Sequence, residues 1–135
     1  MTKTLISGAR IIDGSGSPAF PGSVLIVNDR IQAVSRTPLA ADDAQEVDAA
    51  GLVLAPGFID VHAHSDLSIL AEPEAVGKIS QGITSELSGN CGLSAFPIRT
   101  AEVREHLEKL YRTYGVALTW SDFSSYADAV TAARP

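Results

Sequence analysis

The rhythm of hydrophobic and polar positions changes once along this chain, at Pro56-Gly57. Upstream, apolar residues come in short β-branched runs set between turn residues. Residues 4–6 and 10–12 flank Gly8 and predict two short strands, and Asp13-Gly14-Ser15-Gly16-Ser17-Pro18 reads as a loop from its composition. Residues 24–27 and 31–34, either side of Asn28-Asp29, predict a hairpin. A polar, Ala-rich connection over 37–43 leads to two more short strands, 46–47 and 52–54, around Ala49-Ala50-Gly51. Residues 1–55 thus read as a small β-sandwich with no evident chemistry of its own.

Downstream, strand and helix spacing alternate. Phe58-Ile59-Asp60-Val61 is a short apolar strand, 72–81 a helix, and 83–87 the next strand. Pro73 near the start of that helix and Gly82 just past its end follow the usual asymmetry of helix termini. Strand, helix, strand at this spacing is a βαβ unit, which favours parallel pairing and a right-handed crossover. Two further helices follow. Over 100–114, Val103, Leu107, Leu110, Tyr111 and Tyr114 share one face. The last begins near Thr119, with Thr119 and Asp122 as a capping-box-like pair and Leu118 placed to staple onto Phe123. Its apolar stripe is Phe123, Tyr126, Ala127 and Val130. The fold class is α/β, with residues 1–55 and 56–135 as two parts.

Composition narrows the function classes. With 45% hydrophobic and 19% charged residues, the 135-residue chain has the make-up of a globular protein. Net charge is −6 and no basic residues cluster, so nothing marks a nucleic-acid partner. No apolar run is long enough to span a bilayer, and the N-terminus lacks the apolar core of a signal peptide. One cysteine makes no internal disulfide and suits a reducing compartment, or a role as ligand or nucleophile. A cytoplasmic location is expected.

The candidate chemistry lies just after the strands. His62 and His64 follow the first of them directly. On extended backbone, residues two apart point to one face, so both imidazoles can reach one ion such as Zn, Ni, Cu or Fe. The plain alternative is two unrelated polar residues at a loop start, but parallel α/β folds gather their active sites at the C-terminal ends of strands. Gly89-Asn90-Cys91-Gly92 ends the next strand. Neighbouring strands lie about 4.8 Å apart, so Cys91 is within reach of the same metal; taken alone it reads as a small buried hydrophobe. Asp66 either orients a ligand or caps a turn, and Asn90 either bonds a substrate or shapes its turn. Glu86 reads as a buried, hydrogen-bonded carboxylate, and His106, among Glu105, Glu108 and Lys109, as solvated.

The segment from Ala55 through Pro56-Gly57-Phe58-Ile59-Asp60-Val61-His62-Ala63-His64 to Ser65-Asp66 resembles the opening metal motif of the amidohydrolase superfamily. Gly8-Ala9-Arg10-Ile11-Ile12-Asp13-Gly14 and Asn28-Asp29-Arg30-Ile31 fit it as well. Lys78-Ile79-Ser80-Gln81-Gly82-Ile83-Thr84-Ser85-Glu86, followed by Ser88-Gly89-Asn90-Cys91-Gly92, is similar to the D-aminoacylase branch, the N-acyl-D-amino-acid deacylases. So is Trp120-Ser121-Asp122-Phe123 with Tyr126.

The resemblance implies a (β/α)₈ barrel beside a small β-sandwich built from both termini. Residues 1–55 would give the first part of the sandwich and 56–135 the first βα units of the barrel. It implies His62, His64 and Cys91 as zinc ligands, one or two ions in the complete enzyme, and hydrolysis of the amide of a small N-acyl amino acid. Asp66 and Asn90 are the further candidates. A closed barrel typically needs about 250 residues, so the resemblance covers only its start. The general base and the remaining ligands are expected downstream, with no catalytic residue within this chain. The chain alone is expected to be inactive, and to self-associate or to pair with a complementing C-terminal chain. The competing readings are an amidohydrolase acting on cyclic amides, like dihydroorotase or hydantoinase, and a non-catalytic truncated chain.

Overall fold

The computed structural model describes residues 1–66 and 68–133 and divides into two compact units, Met1–Pro56 and Gly57–Pro135. The described residues of the first unit form one five-stranded sheet: β1 (Lys3–Ile11), β2 (Phe20–Val27), β3 (Arg30–Ser35), β4 (Gln45–Asp48) and β5 (Val53–Leu54). The order is β3-β2-β1-β4, with β5 also paired to β1. β1–β2 and β2–β3 are antiparallel, whereas β4 and β5 run parallel to β1.

The two strands expected at 4–6 and 10–12 are one strand. Gly8, at φ 74, absorbs a register shift between Ile6 and Ala9 without ending the pairing. A positive φ is open to glycine at little steric cost, so a residue that reads as a breaker here acts as a bulge. The expected hairpin is present, and its turn residue Asn28 has φ 56. Ala9, Ile11, Phe20, Val24 and Ala49 make the core of this unit.

In the second unit, β6 (Phe58–Asp60) and β7 (Ile83–Glu86) pair in parallel, as the βαβ spacing predicts. Backbone bonds from Leu87 N to the Asp60 carbonyl (2.8 Å) and from Ala63 N to the Leu87 carbonyl (3.1 Å) carry the ladder past both strand ends. The helix expected over 72–81 shrinks to a single turn, α1 (Val76–Ile79). Ala75 sits in the left-handed region at φ 44 and breaks the helical path just before it. Gly82, at φ 79, ends the segment where expected.

α2 (Ala101–Arg112) starts where Thr100 Oγ1 accepts the Val103 N–H at 3.3 Å. α3 (Phe123–Ala133) starts later than the pattern suggested. Its cap is Asp122, whose Oδ1 accepts the Ser125 N–H at 2.9 Å, so the cap pair is Asp122–Ser125 and not Thr119–Asp122. Leu107 and Tyr111 of α2 join Ala95, Trp120 and Tyr126 in the core. Tyr111 and Tyr126 both meet the Trp120 ring edge to face, with centroids 4.9 and 5.3 Å away. Edge-to-face pairs of this kind each add about 0.5–1.5 kcal/mol beyond the area they bury. The indole N–H donates to the Ala95 carbonyl at 2.9 Å. Val103 and Tyr114, assigned to the same helix face by periodicity, stay 41% and 43% exposed, so that face buries only its centre.

Candidate metal centre

The parallel pairing of β6 with β7 sets the site. His62 and His64 follow β6, and Cys91 lies on the turn after β7. One ligand atom from each of the three side chains falls within 4.8 Å of the other two. Among the described residues this is the one such gathering of three or more His, Cys, Asp or Glu. His62 Nε2 is 3.1 Å from Cys91 Sγ, across 29 residues of sequence. The two imidazole rings stand 5.8 Å apart at 63°.

The turn that presents Cys91 is built for it. Gly89, Cys91 and Gly92 all have positive φ, at 78°, 57° and 73°. Cysteine is an unusual occupant of that region, and such a conformation costs on the order of 1–3 kcal/mol, which local bonds must offset. Asn90 supplies two of them. Its Nδ2 donates to the Leu87 carbonyl at 2.8 Å and to the Ala63 carbonyl at 3.1 Å, so the side chain ties this turn to the histidine loop. These two bonds shape the turn. Cys91 itself is exposed among the described residues.

Asp66 is 6% exposed. Its Oδ2 accepts the Ala95 N–H at 3.2 Å, and its backbone carbonyl accepts two tyrosine hydroxyls, Tyr111 at 2.5 Å and Tyr126 at 3.0 Å. Its Oδ1 is buried without a partner. Burial pushes the Tyr126 hydroxyl up to about 12 and raises that of Tyr111 as well, with further repulsion from the Asp66 carboxylate. His106 is exposed on α2, as expected.

Two contributors, Asp60 and Lys78, escaped the sequence reading; Glu86, expected to be buried and hydrogen-bonded, is half-buried, and its Oε1 makes no hydrogen bond. Asp60 Oδ1 accepts the His62 N–H at 3.1 Å, and Asp60 Oδ2 accepts from Lys78 Nζ at 2.5 Å. The same ammonium lies 3.0 Å from Glu86 Oε1, off the hydrogen-bonding direction, so that contact is an ion pair alone. The Lys78 ammonium, and then the His62 N–H, hold the Asp60 carboxyl below the usual carboxylate range. Lys78 is raised in turn, first by Asp60 and then by Glu86. A lysine one helical turn ahead of a strand carries no pattern of its own, so only the pairing of β6 and β7 reveals the triad.

The donor set fits a metal on two grounds. Two imidazoles and a thiol within a few ångströms are the donors that zinc and its neighbours take. His64 Nδ1 is buried with no hydrogen-bond partner, an arrangement that costs free energy unless something pairs with it.

Residues 45–134 match the amidohydrolase family. The chain belongs to that family. Among the curated relatives of this amidohydrolase is the N-acyl-D-aspartate deacylase of Alcaligenes xylosoxydans xylosoxydans, 43% identical over 106 residues that cover 78% of this chain and 21% of that protein. The D-aminoacylase of the same organism is 38% identical over 128 residues, covering 95% of this chain and 26% of that one. Among solved structures, the N-acyl-D-glutamate deacylase of Bordetella bronchiseptica, complexed with zinc and a phosphonate inhibitor, superposes with a TM-score of 0.79 at 36% identity. That match covers all of this chain and 28% of the other. The amidohydrolase chain thus spans only 21–28% of the length of these relatives. No helix among its described residues is long and apolar enough to cross a membrane.

Proposed function

We propose that this chain supplies the first part of the active site of a zinc-dependent N-acyl-D-amino-acid deacylase, with His62, His64 and Cys91 as metal ligands. The observation that carries the reading is the gathering of those three donor atoms within 4.8 Å at the ends of two parallel strands. The deacylase relatives, matched over most of this chain, support the substrate class. The substrate is a small N-acyl amino acid, and the bond cleaved is its amide.

Residues 56–135 are read as the first βα units of a (β/α)₈ barrel, and residues 1–55 as the first part of a β-sandwich completed by later strands. Parallel sheets are normally covered on both faces. Phe58, Ile59 and Val61, around β6, are 62–69% exposed, which supports a barrel whose later strands cover them.

When bound, zinc supplies Lewis acidity, polarising a carbonyl and making water a stronger acid. The residues of this chain hold and orient. His62 and His64 offer neutral imidazole nitrogen and Cys91 its sulfur. Asn90 fixes the turn under Cys91, and the tyrosine bonds to Asp66 fix the loop after His64. The general base and the further ligands are assigned to later strands, outside these residues.

A substrate panel on the full-length gene product tests the reading. Zinc-dependent release of free amino acid from N-acetyl-D-amino acids is expected, with the L-enantiomers poor. Hydrolysis of cyclic imides without any N-acyl-D-amino acid turnover overturns it.

A further inference from the structure

We propose that Lys78 is a positioning residue for the metal-binding loop: it clamps Asp60, which holds the His62 backbone, to Glu86 on the adjacent strand. The inference rests on the metal reading above and adds a part to it. Both oxygens of Asp60 are used, Oδ1 on the His62 N–H at 3.1 Å and Oδ2 on Lys78 Nζ at 2.5 Å. The ammonium also reaches Glu86 Oε1 at 3.0 Å. Glu86 closes β7, and the next residue, Leu87, accepts bonds from Ala63 N and Asn90 Nδ2. Lys78 therefore ties together the two strand ends that carry the proposed ligands.

The setting of Lys78 favours this role over a solvated surface charge. α1 is a single turn that buries none of its residues, and Val76 and Ile79 are 64% and 59% exposed. Little packing fixes the turn, and the lysine contacts attach it to the strand ends. Exposed ion pairs contribute little because water screens them and long side chains lose entropy. Here the three side chains are only 32%, 26% and 19% exposed, and one cation stands against two carboxylates. Without it, Asp60 and Glu86 face each other uncompensated. Asp60 can then lower its energy by turning to water and releasing the His62 N–H.

A metal site depends on such outer contacts, because a ligand free to rotate must be ordered when the ion binds. Losing one typically weakens metal affinity by about 10- to 100-fold. Simple electrostatics has the opposite sign: deleting a cation near a cation site should tighten binding. The two roles are therefore separable by direction.

The test is the zinc affinity of the full-length gene product, by competition with a chromogenic chelator, for wild type, Lys78→Met and Lys78→Arg. Circular dichroism of each checks that it folds. Lys78→Met should bind zinc at least about tenfold more weakly, and Lys78→Arg, which keeps charge and reach, should stay near wild type. Equal or tighter binding by Lys78→Met overturns the positioning role. If that variant does not fold, Asp60→Asn replaces it, with the same weakening expected and unchanged affinity as the contrary result. A wild-type full-length gene product that binds no zinc overturns the metal reading and this inference together. Wild-type binding with an unaltered Lys78→Met overturns the inference alone.

Discussion

Tyr111 donates its hydroxyl to the backbone carbonyl of Asp66 at 2.5 Å, 45 residues earlier in the chain. Tyr126 donates to the same oxygen at 3.0 Å, so one residue from each of two helices holds the loop that follows His64. Tyr111 is also fully buried in the aromatic core. Its ring and its hydroxyl should therefore be separable. Tyr111→Phe leaves the carbonyl bonded to Tyr126 and should cost about 1 kcal/mol. Tyr111→Ala empties the core position and should cost about 3–5 kcal/mol. Urea unfolding midpoints compare the two; equal losses would contradict the packing account.

The same tyrosines make stability depend on alkaline pH. Their folded hydroxyls titrate above the ordinary tyrosine value, with Tyr126 at about 12. Between about pH 10 and 12 the folded chain keeps protons that the unfolded chain has released. Stability from this source is complete below about pH 10 and falls as pH rises through 12. Urea melts at stepped alkaline pH should show that decline, and the Tyr111→Phe/Tyr126→Phe double variant should show a flatter one. An identical slope in both would remove the tyrosines as its cause.

The order of elements was legible because it rests on local periodicity, while the backbone break at Ala75 and the partners of single side chains distant in sequence carry no such signal. Residues 83–87 and 100–114 show their strand and helix directly, and β7 and α2 lie within those bounds. The span 72–81 shows helix from Pro73 to Gly82, yet Ala75 in the left-handed region leaves only one turn, and no propensity marks that residue. The candidates His62, His64 and Cys91 stood out because histidine and cysteine are rare in this chain and follow strands, and the structure brings the three together. Lys78, Tyr111 and Tyr126 did not. Lysine and tyrosine serve so many surfaces and cores that only the bonds to Asp60 and Asp66 separate these three from the rest.

The contact between the two site strands leaves no room beside Gly57. A Cβ built there would collide with the Thr84 side chain, including its Cβ at 2.7 Å. Gly57→Ala should force the strands apart and destabilise by about 1–3 kcal/mol. Adding Thr84→Gly should recover part of that loss, as expected for two residues in direct contact. Thermal melts of the two single variants and the double give the coupling, and strict additivity would argue against the close approach.

Whether Cys91 joins His62 and His64 at one ion is read out directly by cobalt(II) in place of zinc. The wild-type full-length gene product should develop an intense near-ultraviolet thiolate-to-cobalt band that Cys91→Ala abolishes. His62→Ala and His64→Ala should each weaken cobalt binding. Cobalt bound without that band, or bound equally well by Cys91→Ala, would contradict the account.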